Sequence, residues 1–295
     1  MTRPEHPPDS NERLGVYLSI GSIACFAATS LLLSYINTAR GLDGWVTSTY
    51  RGAIGLISIY FMQSRTGNVH LSHILTNKLL FWRGLIGGAT ITLYYICIME
   101  IGPGRAGMIT GSYPLFAALF AMVLIKEHVR WAYGIYITIA MAGLTGIFFD
   151  QGIGGGKPLY DGLAIFGAGA AGLCVVMIRH LRHTENTSSI FASQCVFTVA
   201  IGFAMSGKEI FIKDSVALGL TILAAITAVG GQLCITESFR HINVAKGSTL
   251  QMLTPATTCV LSALMLGEMF SILEITGGLA ILFASYQIVM MKAKK

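Results

Sequence analysis

RAGMITGSYPLFAALFAMVLIKE, residues 105–127, decides how the chain is read, because its pattern returns as KGSTLQMLTPATTCVLSALMLGE at residues 246–268. The offset is 141 positions (105 to 246), and no gap is needed. A basic residue opens each copy (Arg105, Lys246), a proline follows nine positions later (Pro114, Pro255) and a glutamate closes each (Glu127, Glu268). Between these markers both copies are almost wholly apolar. Each has about 20 residues, the length of one bilayer span. A repeated membrane segment implies a chain made of two related halves.

Composition agrees. Of 295 residues 54% are hydrophobic and 12% charged, and the mean hydropathy is +0.67. Soluble domains carry about 25% charged residues, so the chain reads as a polytopic membrane protein whose surroundings are the lipid bilayer. The net charge of +6 raises the question of nucleic acid. The basic residues fall mostly in alternate loops and not on one element, so no nucleic-acid partner is expected. The six cysteines (Cys25, Cys97, Cys174, Cys195, Cys234, Cys259) lie inside apolar runs without CxxC spacing. They read as small apolar side chains, not as metal ligands. The segment through Arg13 is polar, and the apolar run after it is too long for a signal-peptide core. A retained first span is expected.

Ten apolar runs follow one another at about 14–36, 45–63, 79–99, 106–125, 131–149, 160–178, 188–206, 216–236, 247–266 and 271–291. The expected architecture is all-α: ten transmembrane helices built as two inverted five-helix repeats. A tail (1–13) precedes the first repeat (14–149), a Gly-rich linker (150–159) separates it from the second (160–291), and a basic tail (292–295) ends the chain. Five is odd, so the second half enters the membrane the other way round. With the N-terminus inside, 13 lysines and arginines fall on inner segments. Five fall on outer ones: Arg40, Arg105, Lys157, Lys208 and Lys213. The excess marks the cytoplasmic side, which puts both termini there. Gly84 and Gly88 form a GxxxG in the third run, and Gly167, Gly169 and Gly172 recur in the sixth; small faces let helices approach closely in lipid.

Several motifs resemble chemistry without its context. Gly102-Pro-Gly104-Arg-Ala-Gly107 matches GxGxxG but sits between two membrane runs instead of inside a βαβ unit. Residues 152–157 lack the outer glycine of a phosphate loop, where Gln151 stands, and Pro158 takes the place of its Ser or Thr. His70/His73 and His180/His183 lie in basic loops without carboxylate or cysteine support. Asn186-Thr-Ser188 fits a sequon on an expected cytoplasmic loop. No catalytic constellation or cofactor motif appears, so neither an enzyme nor a cofactor is expected.

Ionisable groups within spans are costly and often functional. Arg51 and Arg83 lie inside the second and third runs, from opposite sides; each either snorkels to the headgroups or faces a cavity as an anion-binding residue. Glu100, Glu127, Glu237 and Glu268 sit at span ends, where capping or pairing is expected. Glu100 and Glu237 are the candidates for coupling. The repeat supplies the substrate site. Thr110, Tyr113 and Ala117 share a face at i, i+3, i+7, and their counterparts are Gln251, Thr254 and Thr258. Both triplets bracket the repeat proline, Pro114 or Pro255. A proline there kinks the helix and frees a carbonyl, which makes each a candidate hinge. Ser22, Thr29, Tyr94 and Gln232 are candidates to complete the cavity, the buried amides being hardest to satisfy in lipid.

The ordered set resembles the EamA-type members of the drug/metabolite transporter superfamily: ten runs in two halves, Arg51 in the second, WRGLIGG in the third, prolines in the fourth and ninth. LIKE (124–127) and LGE (266–268) stand where that family often has Gly-Glu, with Lys126 departing from the pattern. The resemblance implies a cavity lined by spans one, three, four, six, eight and nine, with five and ten outside, and alternating access. It implies a small-molecule metabolite as partner. The expected function is therefore a carrier of a small polar or zwitterionic metabolite in the cytoplasmic (inner) membrane, exporting it. Import, exchange and a non-transporting sensor are the alternatives. A homodimer is allowed through peripheral glycines such as Gly277 and Gly278.

Overall fold

A computed structural model describes residues 12–66, 73–124, 132–150, 157–181, 184–242, 247 and 250–293. Outside them lie residues 1–11 of the N-terminal tail, Lys294 and Lys295 of the basic tail, residues 151–156 of the Gly-rich linker, His70, His183, Lys126, Glu127 and Lys246. Every regular element among the described residues is helical. They are α1 (Glu12–Arg40), α2 (Gly44–Thr66), α3 (His73–Thr76), α4 (Lys78–Ile101), α5 (Pro103–Thr110), α6 (Tyr113–Leu124), α7 (Ala132–Phe149), α8 (Pro158–Leu181), α9 (Thr187–Ser206), α10 (Ser215–His241), α11 (Leu253–Leu266) and α12 (Ile272–Ala293), with a 3₁₀ turn at Gly207–Ile210. Where they are described, the expected apolar runs fall on helical residues, the fourth and ninth on two helical pieces each. Six stretches have the length and apolarity to cross a bilayer: α1, α4, α5 with α6, α8, α9 with its 3₁₀ turn, and α10. Three shorter apolar helices lie within α7, α11 and α12. Large apolar side chains such as Tyr17, Phe149, Phe166 and Ile272 point outward, as a lipid-facing surface requires.

Local chemistry sets the helix ends. Asn77 caps α4 by accepting from Leu79 N and Leu80 N at 3.1 and 3.3 Å. Its amide also donates to Glu185 at 3.1 Å. Asn186 of the sequon caps α9, accepting from Ser189 N at 2.7 Å. Asp214 caps α10 through Val216 N and pairs with Arg40 at 3.0 Å. The Val216 N–H, with Arg40 adding, holds the Asp214 carboxyl below its ordinary range. Gly267 takes the left-handed conformation (φ 68°) that ends α11. Glu268 then turns back and accepts from Gly104 N and Arg105 N at 3.0 and 3.3 Å, capping α5. The Gly-Glu pair thus joins the start of one broken segment to the end of the other.

Small residues bring helices together. A Cβ on Gly88 would stand 2.7 Å from Thr198 N, and one on Gly84 2.9 Å from Ser193 O, so the GxxxG seats α4 on α9. Gly172 seats α8 on α6, with Ala117 N 2.6 Å from its position for a Cβ. Gly143 and Gly277 face each other across α7 and α12, each Cβ position 2.6 Å from the other's carbonyl oxygen. Gly278 packs on Met108. These peripheral glycines serve packing within the chain. Along α1 and α10 hydroxyls meet: Ser19 with Ser238 at 2.7 Å, and Thr29 with Thr227 at 2.9 Å.

Arg105 is where structure departs most from sequence. Counted as an outer loop residue, it lies in α5 and is buried with Asp161 of α8 and Glu274 of α12. Its Nε donates to Asp161 Oδ1 at 2.8 Å, Nη1 to Glu274, and Nη2 to Asp161 Oδ2 and the carbonyls of Ile147 and Asp150. Ser271 closes the cluster by donating to Asp150. Apolar surroundings make each of these charges dependent on the others. Removing one member of such a cluster costs about 3–5 kcal/mol. Arg105→Met is therefore expected to lower the melting temperature in detergent sharply, and Arg105→Lys to restore little, because Lys lacks the fork. Gly88→Val is expected to cost about 1–3 kcal/mol by overpacking, read in the same melting measurement.

Candidate functional site

The repeat prolines do not kink continuous helices; they lie in the first turn of new ones. Gly111 and Ser112 turn between α5 and α6, and Met252 turns between helical residues 250–251 and α11. The cause is local. Pro114 has no N–H for the Thr110 carbonyl, nor Pro255 for that of Gln251. The chain tightens instead: Gly111 N reaches Gly107 O at 2.9 Å, Ser112 N reaches Ile109 O at 3.1 Å and Leu115 N reaches Ser112 O at 3.0 Å. α5 packs on α11, and a Cβ on Gly111 would come within 3.2 Å of Pro255 Cγ. Both breaks therefore border one space.

That space is a cavity of about 540 Å³. It brings together Thr110, Tyr113, Gln251, Thr254, Thr258, Gln232, Tyr94 and Thr29, with Pro255 beside them. Gln251 Nε2 donates to the Ser19 carbonyl at 3.4 Å, and its Oε1 accepts from Thr254 at 3.4 Å. Ser22 and Pro114 are buried but are not among the lining residues. Ala117, expected on the face of Thr110 and Tyr113, packs on Gly172 instead. The break between residues 110 and 113 rotates α6 away from the continuous-helix register, which is why the spacing argument fails there.

Arg51 and Arg83 also line the cavity, 4% and 7% exposed, so neither snorkels to the headgroups. Arg51 lies over the Tyr95 ring, 5.9 Å from its centroid. Arg83 donates to Gln194 Oε1 at 2.9 Å. Gly87 leaves the room for this guanidinium, since a Cβ there would collide with Arg83 Nη1. The lining expected from six spans thus gains Arg51 from α2, Gln194 from α9 and Leu282 from α12. Sequence reasoning missed Gln194, although an amide inside an apolar run was the same signal that picked out Gln232 and Gln251. It missed Tyr95 because neighbouring helical residues point about 100° apart; the cavity wraps far enough around α4 to take both tyrosines.

The two end carboxylates stand away from this space. Glu100 pairs with Lys157 at 2.7 Å, and Glu237 lies 3.9 Å from His241 Nε2. Neither lines the cavity. Among the described residues no group of three His, Cys, Asp or Glu is arranged to hold a metal ion. In a cysteine-free background, a thiol placed at Thr254 is expected to react with a small membrane-impermeant thiosulfonate, whereas one at Ala117 or Ser22 stays unlabelled. Labelling at either buried position would contradict the cavity's outline.

Comparison with known proteins bears on what such a cavity serves. The EamA-like transporter family matches residues 13–149 and again 159–290. The pseudopaline exporter CntI of Pseudomonas aeruginosa (strain UCBPP-PA14) is 24% identical over 245 residues, covering 80% of this chain and 82% of that protein. The same exporter from strain ATCC 15692 matches to the same extent. A protein of known crystal structure, 16% identical, superposes with a TM-score of 0.60 over 95% of this chain and 97% of its own; this likeness concerns the fold. A multi-pass helical membrane protein with these relatives is a transporter and not an enzyme. By a match that spans nearly its whole length, the chain belongs to the EamA-like transporter family.

Proposed function

We propose that this protein is a secondary carrier that moves a small polar or zwitterionic metabolite outward across the cytoplasmic membrane by alternating access. One observation carries the reading: polar side chains from both halves, on either side of two helix breaks, line a single cavity of about 540 Å³. That volume suits a small ligand. Tyr113 and Tyr94 cover the substrate, Gln251, Gln232 and Thr254 hydrogen-bond it, and the helix breaks that precede Pro114 and Pro255 act as hinges. The similarity to an exporter supports the outward direction.

Two five-helix halves, 14–149 and 160–291 around a linker at 150–159, are supported by how helices pair. Exchanging the halves turns α1 on α10 into α8 on α4, and α6 on α8 into α11 on α1; all four contacts are present. Placing ten spans with both termini inside is supported by the way contacts sort by end. Arg40 with Asp214, Glu100 with Lys157 and Arg105 with Asp161 join the expected outer connections. Asn77 with Glu185, and Gly15 against Ile242, join inner ones. Gly143 and Gly277 are spent on each other, so a homodimer gains no support from them.

Gln251→Ala tests the site. It is expected to lower flux about tenfold, the worth of a hydrogen bond in the site, with expression and melting behaviour retained. The readout is flux from proteoliposomes of a metabolite first found by thermal shift, since a ligand that binds the native state raises its melting point. Wild-type flux would remove Gln251 from the site. Dependence of that flux on a pH gradient would show proton coupling, and its loss in Glu100→Gln or Glu237→Gln would assign that coupling to the residue. A ligand that binds and never crosses would replace the carrier with a sensor.

A further inference from the structure

Two guanidinium groups stand in the cavity with most of their donors unspent. Arg83 Nη2 donates to Gln194. Its Nε and Nη1, and Arg51 Nη1, have no hydrogen-bond acceptor among the described residues. The Tyr95 hydroxyl beside Arg51 is likewise without a partner among them. All these atoms are buried, and no Asp or Glu is among the residues that line the cavity.

Helix α9 packs beside both arginines, which line the same cavity. Gln194 meets Arg83, and the next residue, Cys195, lies against the turn of α2 that follows Arg51. A Cβ on Gly52 would stand 3.0 Å from the Cys195 carbonyl oxygen, and one on Gly55 2.7 Å from its Sγ. Gln194 is about 10 Å along α9 from its first residue at 1.5 Å per residue, so it lies deep in the bundle. Charges so placed are costly unless paired. Arg105 shows how this chain pairs an arginine for structure, with two carboxylates and two carbonyls. Arg51 and Arg83 have nothing comparable. For structure alone, apolar side chains of similar volume would serve as well.

We propose that Arg51 and Arg83, with Tyr95 and Gln194, form an oxyanion subsite, and that the transported metabolite binds there through a carboxylate or phosphate group as a net anion. This narrows the carrier reading from polar or zwitterionic metabolites to net anions, and rests on it. The guanidinium fork supplies paired, planar donors for such a group. The wall formed by Tyr94, Thr110 and Gln251 takes the uncharged remainder. A cavity with two positive charges and no negative one discriminates against cationic amines.

The test is thermal shift of the purified full-length protein in a non-ionic detergent at constant ionic strength. The probes are succinate, glutamate, glycerol 3-phosphate, putrescine and glucose. Anions are expected to raise the melting temperature of the wild type, and putrescine and glucose to leave it unchanged. Response to succinate or glutamate assigns a carboxylate, and response to glycerol 3-phosphate alone a phosphate. Arg51→Gln and Arg83→Gln are each expected to weaken the anion response about tenfold in apparent Kd, with Arg→Lys at the same positions recovering part of it. A merely structural role would change the ligand-free melting temperature and leave the anion response intact in all four variants. That result overturns the proposal, as does a wild type stabilised by no anion or stabilised most by putrescine. Proteoliposome flux separates the two readings. Flux of putrescine or glucose without anion binding keeps the carrier and removes the subsite. Arginine-dependent anion binding without flux keeps the subsite and removes the carrier.

Discussion

The bundle depends on one buried guanidinium. Arg105 is held by Asp161 of α8, Glu274 of α12 and two carbonyls at the end of α7. Its own backbone N–H is capped by Glu268 after α11. Three helices, α7, α8 and α12, therefore converge on its side chain, and the end of α11 meets its backbone. In lipid there is little hydrophobic gain from pressing one apolar helix on another. A desolvated, bidentate ion cluster supplies what apolar packing does not, which is a single preferred arrangement of the helix ends.

The same residue type does opposite things elsewhere. Arg105 spends its donors within the protein. Arg51 and Arg83 keep most of theirs for a cavity that offers no carboxylate. All three are nine-tenths buried or more, so burial does not separate structural from functional arginine in this chain. Pairing does. Gly87 shows the surroundings adapted to this, because any side chain there would displace the Arg83 guanidinium.

The cavity exists because two helices are interrupted at equivalent places. A proline removes one backbone donor, and the chain responds by restarting a helix around it instead of bending through it. The interruption leaves Thr110 and Tyr113 on one side and Gln251 and Thr254 on the other, facing the same volume. It also turns Ala117 onto Gly172. The Gly267-Glu268 pair has a physical reading in this fold: glycine supplies the left-handed residue that ends α11, and glutamate caps α5.

Much of this was legible in the sequence. Apolar run lengths located the helices, because a helix must be apolar for about 20 residues to satisfy its backbone in lipid. The repeated proline located the breaks, and eight of the nine substrate-site candidates line the cavity; Ser22 does not. What periodicity could not supply was depth and partnership. Arg51 and Arg83 enter from opposite ends of their runs, and only the packing of α2 and α4 on α9 brings both to one cavity. Arg105 reads as a loop residue because Asp161 and Glu274 are 56 and 169 positions away. The sequence by itself determined the helices, their interruptions and the class of protein, all consequences of local backbone chemistry in an apolar solvent. Only the tertiary structure decided which charges are spent on each other and which are left for a ligand, because electrostatic pairing depends on distances that chain position does not encode.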